Sequence, residues 1–336
     1  VNLGDTTKPL GDGIFGRRFF LVGYLPVYAA ALFLLLVIWA GARGWHPPVQ
    51  HRMDFARAWD KAAGLGLGQA LVLLVGVTLA AVLLQPLQLW LLRLLEGNWP
   101  VPFHGNWTCA WQRRRMARLA ARAELCRAGE FFAGVAAPEL SPESVQRAGA
   151  AGRRLRQHFP LPPHLMKPTG LGNVLVAMED TAGRAYGMDA VIMWPRLYTV
   201  LGDQVRALVD DRRDTLDAAA RMAVIMLLTA VTALLLLCGA GWWLLLALLP
   251  LGMSVLSYFG AVQAALAYAE AVQVAFDMHR GELLEALRMP RPGSRPDEEN
   301  LHRQWGDLWR QGIPLRPGVH YETNLNEHRV VLREKK

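Results

Sequence analysis

MAVIMLLTAVTALLLLC, residues 222–238, runs without one charged side chain, and after Gly239-Ala240-Gly241 the apolar text resumes as WWLLLALLPLGMSVLSYF, residues 242–259. Each run approaches the ~20 residues that a helix needs to cross a hydrocarbon core, where the backbone must satisfy its own hydrogen bonds. Two earlier runs, Phe19–Ala42 and Gly68–Leu92, read the same way. Between the pairs lies a long polar stretch, roughly Asn98 to Asp217. The pattern predicts an all-α membrane protein with four transmembrane helices, arranged as two hairpins that flank a helical cytoplasmic domain. The expected segments are a leader at 1–18, a first hairpin at 19–96, a helical domain at 97–217, a second hairpin with helical stalk extensions at 218–289, and a linker with a docking tail at 290–336.

Composition agrees with this division. The chain has 336 residues, 53% of them hydrophobic, and a formal charge of +8, which suits a few spans with one modest polar domain. Positive charge is carried almost wholly by Arg, and the Ala, Leu and Gly load is that of a bacterial protein. Three cysteines, Cys109, Cys126 and Cys238, do not make a disulfide framework. Basic residues crowd Asn98–Lys167, so the positive-inside rule puts the central domain and both termini in the cytoplasm of a bacterial plasma membrane. The Arg43–Lys61 loop, with Arg43, Arg52, Arg57 and Lys61, runs against that orientation. Gly16-Arg17-Arg18-Phe19-Phe20-Leu21 has the look of a twin-arginine export signal, but the following apolar run is longer than such signals use, and it is taken as an uncleaved anchor.

Within the spans, Gly64, Gly68, Gly76 and Ala80 share a helical face that admits close helix packing, either inside the hairpin or between protomers. Gln85 and Gln88, around Pro86, are the expected polar lining of the same helix, joined by Thr78 and Gly76 as pore-lining candidates. The central portions of the spans hold no Asp, Glu, Lys, Arg or His, which disfavours a proton-coupled pump or transporter. An oligomeric pore has no such requirement.

In the polar stretch, Trp111–Gly129 reads as a helix with Arg114, Arg118 and Arg122 every four residues. Such a face can lie on anionic headgroups or simply be solvated. Ser141-Pro142-Glu143 opens a second helix to about His158, and Pro160, Pro162, Pro163 and Pro168 make the next stretch irregular. Then comes the densest group of unusual residues, Leu171-Gly172-Asn173, Tyr186-Gly187-Met188-Asp189-Ala190 and Trp194-Pro195-Arg196-Leu197-Tyr198. Asp203 caps a helix expected to run unbroken for about 35 residues, ~50 Å, into the third span. The fourth span should continue to Arg288, with Leu266, Val272, Phe276, Leu283 and Leu287 as the apolar stripe of an antiparallel stalk. Past a Pro/Gly linker, Asp297–Gln311 reads as a capped amphipathic helix with Leu301, Trp305 and Leu308 on one face, expected to dock on its own or a neighbouring subunit. Tyr321–Leu332 is expected to form a small hairpin.

The Leu-Gly-Asn, Tyr-Gly-x-Asp-Ala and Trp-Pro-Arg-Leu-Tyr series resembles a family of uncharacterised bacterial integral membrane proteins that carry it between paired spans. The resemblance implies a membrane location and brings no chemistry with it. In outline alone, the layout is similar to that of bestrophin-type anion channels, whose pore motifs this sequence lacks.

Glu179, Asp180, Arg184, Asp189 and Arg196 gather opposite charges, which structural ion pairing explains more simply than acid–base work. No nucleophile or phosphate loop accompanies them. His46, His51, Asp54, Glu270, Asp277, His279 and Glu282 lack paired metal-ligand spacing. The sequence therefore predicts a non-enzymatic, oligomeric, multi-pass protein with no metal, cofactor or nucleic acid, one that could serve as an ion-conducting pore. The alternative is an anchored scaffold or sensor that offers Asn173, Glu179, Tyr186, Asp189, Trp194 and Arg196 to a cytosolic partner. Expected partners are anionic lipid headgroups, further copies of the chain and that cytosolic protein.

Overall fold

The computed structural model describes residues 25–42, 53–99, 106–131 and 142–315. The leader, the export-signal-like stretch, His46, His51, Ser141 and the tail hairpin lie outside the described residues, as do the side chains of Gln85, Gln88 and Cys126. Among the described residues the structure is helical with no strand. In chain order, α1 is Leu25–Trp39, α2 Phe55–Ala63, α3 Leu67–Leu95, α4 Asn106–Phe131, α5 Pro142–His158, α6 Gly170–Thr181, α7 Ala190–Val200, α8 Asp203–Leu237, α9 Leu248–Ala286 and α10 Arg295–Gln311. Two compact units result. One comprises residues up to Trp99 together with Asp214–Ala264, and the other Pro100–Arg213 together with the chain from Ala265 onward.

In the first unit, α1 packs through Val27 and Ala30 on Ala81 of α3 and on Ile225 and Met226 of α8. Further along, Val37 meets Ala233, Leu237 and Ala247. Alanine at these positions lets helix backbones approach closely, which matters where lipid removes the hydrophobic drive for association. Hydroxyls are turned inward. Thr78 donates to the Leu74 carbonyl at 2.7 Å and lies 2.6 Å from the Tyr28 hydroxyl, while Ser254 of α9 donates to Ala223 O of α8 at 2.7 Å. The outward faces are apolar: Leu71, Val72, Leu79, Leu83, Leu235, Leu249, Leu256 and Phe259 are all exposed. Such a surface suits hydrocarbon and would be anomalous in water.

Two helices are long and apolar enough to cross a membrane, Asp203–Leu237 and Gly241–Ala286, with mean hydropathy 2.3 and 1.9. At 1.5 Å per residue they measure ~50 Å or more, beyond the ~30 Å of a hydrocarbon core. The expected 35-residue helix from Asp203 is found. A third crossing exists if Phe55–Ala63 and Leu67–Leu83 count as one span, but they are bent by 108°. The sequence reading put Gly64 on one helical face with Gly68, Gly76 and Ala80, whereas Gly64 caps a separate helix, α2, and a break at Gly64–Gly66 follows. Asp54 caps α2 by accepting from the amides of Ala56 and Arg57. Described α1, at 15 residues, reaches ~22 Å.

The second unit has the larger continuous core. Val272, Phe276 and Leu283 of α9, expected as the apolar stripe of a two-helix stalk, sit in a core with Val209 of α8 that also takes in Met193 and Leu197 of α7 and Trp305 of α10. Phe276 is fully buried and stacks on Trp194 at 5.9 Å. Gly183, at φ +71°, ends α6 where a Cβ would come within 2.9 Å of Phe276, so only glycine allows the chain to turn there. Gly202 N–H donates to His279 Nε2 at 3.1 Å, tying the α7–α8 corner to α9. Arg206 reaches back to the carbonyls of Tyr198, Thr199 and Leu201, satisfying acceptors that the end of α7 leaves open.

Candidate functional site: the central motif and its helical cover

Asn173 is fully buried, and its side chain accepts from the Lys167 amide at 2.7 Å and donates to the Lys167 carbonyl at 3.0 Å. It therefore substitutes for a backbone partner and fixes the proline-rich approach to α6, whose first turn is capped by Thr169. Asp189 caps α7 through the Val191 amide at 3.0 Å, and its other oxygen pairs with Arg310 of α10. Trp194 points into the core between Phe276 and Tyr198. Arg196 donates to Ile192 O at 2.7 Å and lies over the Trp309 ring at 3.9 Å.

Tyr186 joins the motif to α10 from the backbone: its carbonyl accepts from His302 Nδ1 at 2.8 Å. Its ring lies under Arg280 at 4.2 Å, and Arg280 pairs with Glu298 at 2.9 Å. Burial, with a hydrogen bond to Asp277, pushes the Tyr186 hydroxyl pKa up. Arg295 donates to Ala185 O at 3.2 Å. Gly187, at φ +73°, brings the backbone so near α10 that a Cβ would lie 2.6 Å from Glu299 O. The hydrophobic part of the same contact comes from Leu301, Trp305, Leu308 and Trp309. Thus Tyr186, Asp189 and Arg196 converge on one amphipathic helix, which lies in a groove on its apolar stripe and is held at its edges by polar contacts.

Beside this contact lies a cleft of about 760 Å³ lined by Lys167, Glu179, Asp180, Arg184, Asp189 and Arg303, with Cys109 and His164 at its wall. Its charges are largely answered within the chain. Asp180 pairs with Arg184 and accepts from the Leu161 amide, and Arg303 pairs with Glu299. Burial pushes the Glu179 carboxyl pKa up, against the pull of Lys167. Among the described residues there is no group of three or more His, Cys, Asp or Glu side chains placed to hold a metal.

The remaining sequence candidates fall elsewhere. Thr78 faces Tyr28 inside the first unit, where its hydroxyl is already partnered. Gly68 and Gly76 meet nothing within 4 Å among the described residues. Arg114, Arg118 and Arg122 are exposed along α4. Sequence reasoning missed His302, Trp309, Arg310 and Arg280. The available signal was the spacing of His302, Trp305 and Trp309 at i, i+3 and i+7, one stripe of a helix. Comparison with protein families, with curated proteins and with solved structures gives no match for this chain.

Proposed function

We propose that this chain is a multi-pass membrane protein that works by binding rather than catalysis: a membrane-anchored scaffold whose 168–198 motif recognises an amphipathic helix. The observation that carries the reading is the seating of α10, where Tyr186 O, Asp189 and Arg196 engage His302, Arg310 and Trp309 of one helix. A groove built for one helix of this chemistry can take another, from a cytosolic protein or a second copy. In this reading the chain has four spans in a bacterial plasma membrane with both termini cytoplasmic, and it is related to the membrane proteins that share its Leu-Gly-Asn to Trp-Pro-Arg series.

The test uses the full chain in nanodiscs with a protease site placed in the Pro290–Ser294 linker. After cleavage and washing, a labelled peptide of residues 294–315 should rebind the wild-type body, and a peptide with Arg310→Glu and Trp309→Ala should rebind at least tenfold more weakly, about 1.4 kcal/mol or more. A body that releases α10 and rebinds both peptides alike would refute a specific groove.

One observation favours a second reading, an oligomeric pore. Gly68 and Gly76 leave an open strip on α3 flanked by exposed Leu71, Val72, Val75 and Leu79, a surface that suits a further copy of the chain. Ion flux from proteoliposomes that falls with Gly76→Leu, together with a multimeric mass in detergent, would favour it over the scaffold. Thr78, with both its hydroxyl contacts satisfied, is the weakest of the proposed lining residues.

A further inference from the structure

Helix α4 places two tryptophans and a row of arginines on one face. Counting 100° per residue, Trp107, Trp111, Arg114, Arg115, Arg118 and Arg122 fall within about a third of the helix circumference. Trp107 is 82% and Trp111 56% exposed, and all four arginines are exposed. The opposite side carries Gln112, which is buried, with Met116, Leu119 and Ala123 partly buried, and Gly152 of α5 stands 3.8 Å from Ala123. α5 thus covers the back of α4 and leaves the Trp–Arg face open. The stripe runs about 22 Å from Trp107 to Arg122.

Among the described residues no acidic side chain pairs with the arginines of the stripe. Among the described residues of α4 and α5, the acidic partner of an arginine is Glu143, on Arg147. Arg115 does lie over the Trp111 ring at 5.9 Å, and Arg154 of α5 adds positive charge on the flank, near His158 and Arg115. Two exposed indoles beside unpaired guanidinium groups are costly in water and favourable where an apolar layer meets phosphate. In sequence, residues 96–106 separate the end of α3 from Trp107.

We propose that the Trp107–Arg122 face of α4 binds the anionic phosphate headgroups of the bilayer, with the indoles at the acyl boundary and the guanidinium groups on phosphate. The proposal goes beyond helix recognition by the central motif and rests on the embedding of the apolar helices. Anionic lipid is favoured over nucleic acid because the tryptophans lead the stripe at its span-proximal end instead of alternating with the arginines, as a base-stacking surface would require.

The experiment reconstitutes the full chain into nanodiscs of phosphatidylcholine with rising fractions of acyl-brominated phosphatidylglycerol. Bromine quenching is compared between the wild type and W107F/W111F, so that the difference reports these two rings. The expected component grows with the anionic fraction and fades toward 1 M salt, where screening shortens to ~3 Å. R114Q/R118Q/R122Q should lower the apparent partition onto the anionic surface on the order of a hundredfold, roughly fivefold for each arginine near such a surface. A component that is absent, indifferent to phosphatidylglycerol or unchanged in the arginine variant would overturn the proposal. So would its displacement by a single-stranded oligonucleotide while phosphatidylglycerol is present. Helix content and tryptic pattern report whether the variants fold, and carbonate-resistant retention in liposomes tests embedding separately, because it should be the same in all variants.

Discussion

Replacing Gly187 by Ala adds one methyl group at the point where the central motif meets α10. Gly187 has φ +73°, and the new Cβ would stand 2.6 Å from Glu299 O and 2.9 Å from Glu299 Cα. The left-handed backbone alone costs an alanine roughly 1–2 kcal/mol. The obstacle is backbone in a helix, which no rotamer change can move aside. α10 must back away by 0.5–1 Å or so, losing about a quarter to a half of each van der Waals well along Leu301, Trp305 and Leu308, and stretching the His302 to Tyr186 hydrogen bond of 2.8 Å. Together the effects should weaken docking by about 2–4 kcal/mol, which raises the undocked population roughly thirty- to a thousandfold. Hydrogen exchange of the Asn300–Arg310 amides and tryptic cleavage at Arg303 measure this local opening directly. Gly281→Ala is the matched control, since that helical glycine meets nothing within 4 Å and should gain about 0.5–1 kcal/mol. If α10 exchanges at the wild-type rate in Gly187→Ala, the groove described above does not hold the helix.

Other expectations follow from single contacts. Asn173→Leu strips both partners from the Lys167 backbone at a fully buried site and should loosen residues 159–172 by roughly 2–4 kcal/mol, read as faster exchange there, with Asn173→Asp intermediate. Burial lowers the pKa of His302, opposed by its bond to Tyr186 and by Glu298 and aided by Arg280. The released helix therefore takes up a proton that the docked helix refuses. Docking should be at full strength above pH 6.5 and weaken as pH falls below that value, by at most about 1.4 kcal/mol per pH unit. His302→Asn should flatten this dependence in exchange of α10, and an unchanged slope would refute it. In the first unit, a Tyr28→Phe and Thr78→Val double-mutant cycle should show a coupling of about 0.6 kcal/mol, at most ~1.7, for their 2.6 Å contact, typical of hydroxyls between membrane helices.

Legibility in the sequence tracked distance along the chain. Asp203 to Leu237 was readable because charge ends and apolar text begins within one helical period, with no proline or glycine between them. The start of α5 at Pro142 was readable for the same local reason, and so was α10, whose Ser294 cap accepts from Asp297 N. What escaped was the contact between residues far apart in sequence, such as Tyr186 with His302 and Ala185 with Arg295. No periodicity carries that information, since the apolar stripe of α10 states only that something covers it. Asp189 and Arg196 stood out as charges in an apolar neighbourhood, yet their roles as helix cap and aromatic cover were fixed by elements beyond the motif. The 108° bend between α2 and α3 was lost among three glycines that could equally have formed one continuous small-residue face.

The divided composition of the second unit bears on how the protein is made. Met193 and Leu197 are core residues whose neighbours Phe276, Leu283 and Trp305 leave the ribosome some hundred positions later, roughly 5–20 s at ordinary elongation rates. In the reading proposed above, residues 214–264 enter the membrane in that interval, and the nascent 106–213 segment waits with apolar side chains uncovered. Biogenesis then depends on whatever shields that segment while the insertion machinery works. Ribosomes stalled before Ala265 should carry a chain bound by chaperones, whereas the full-length chain, once released, should have let them go.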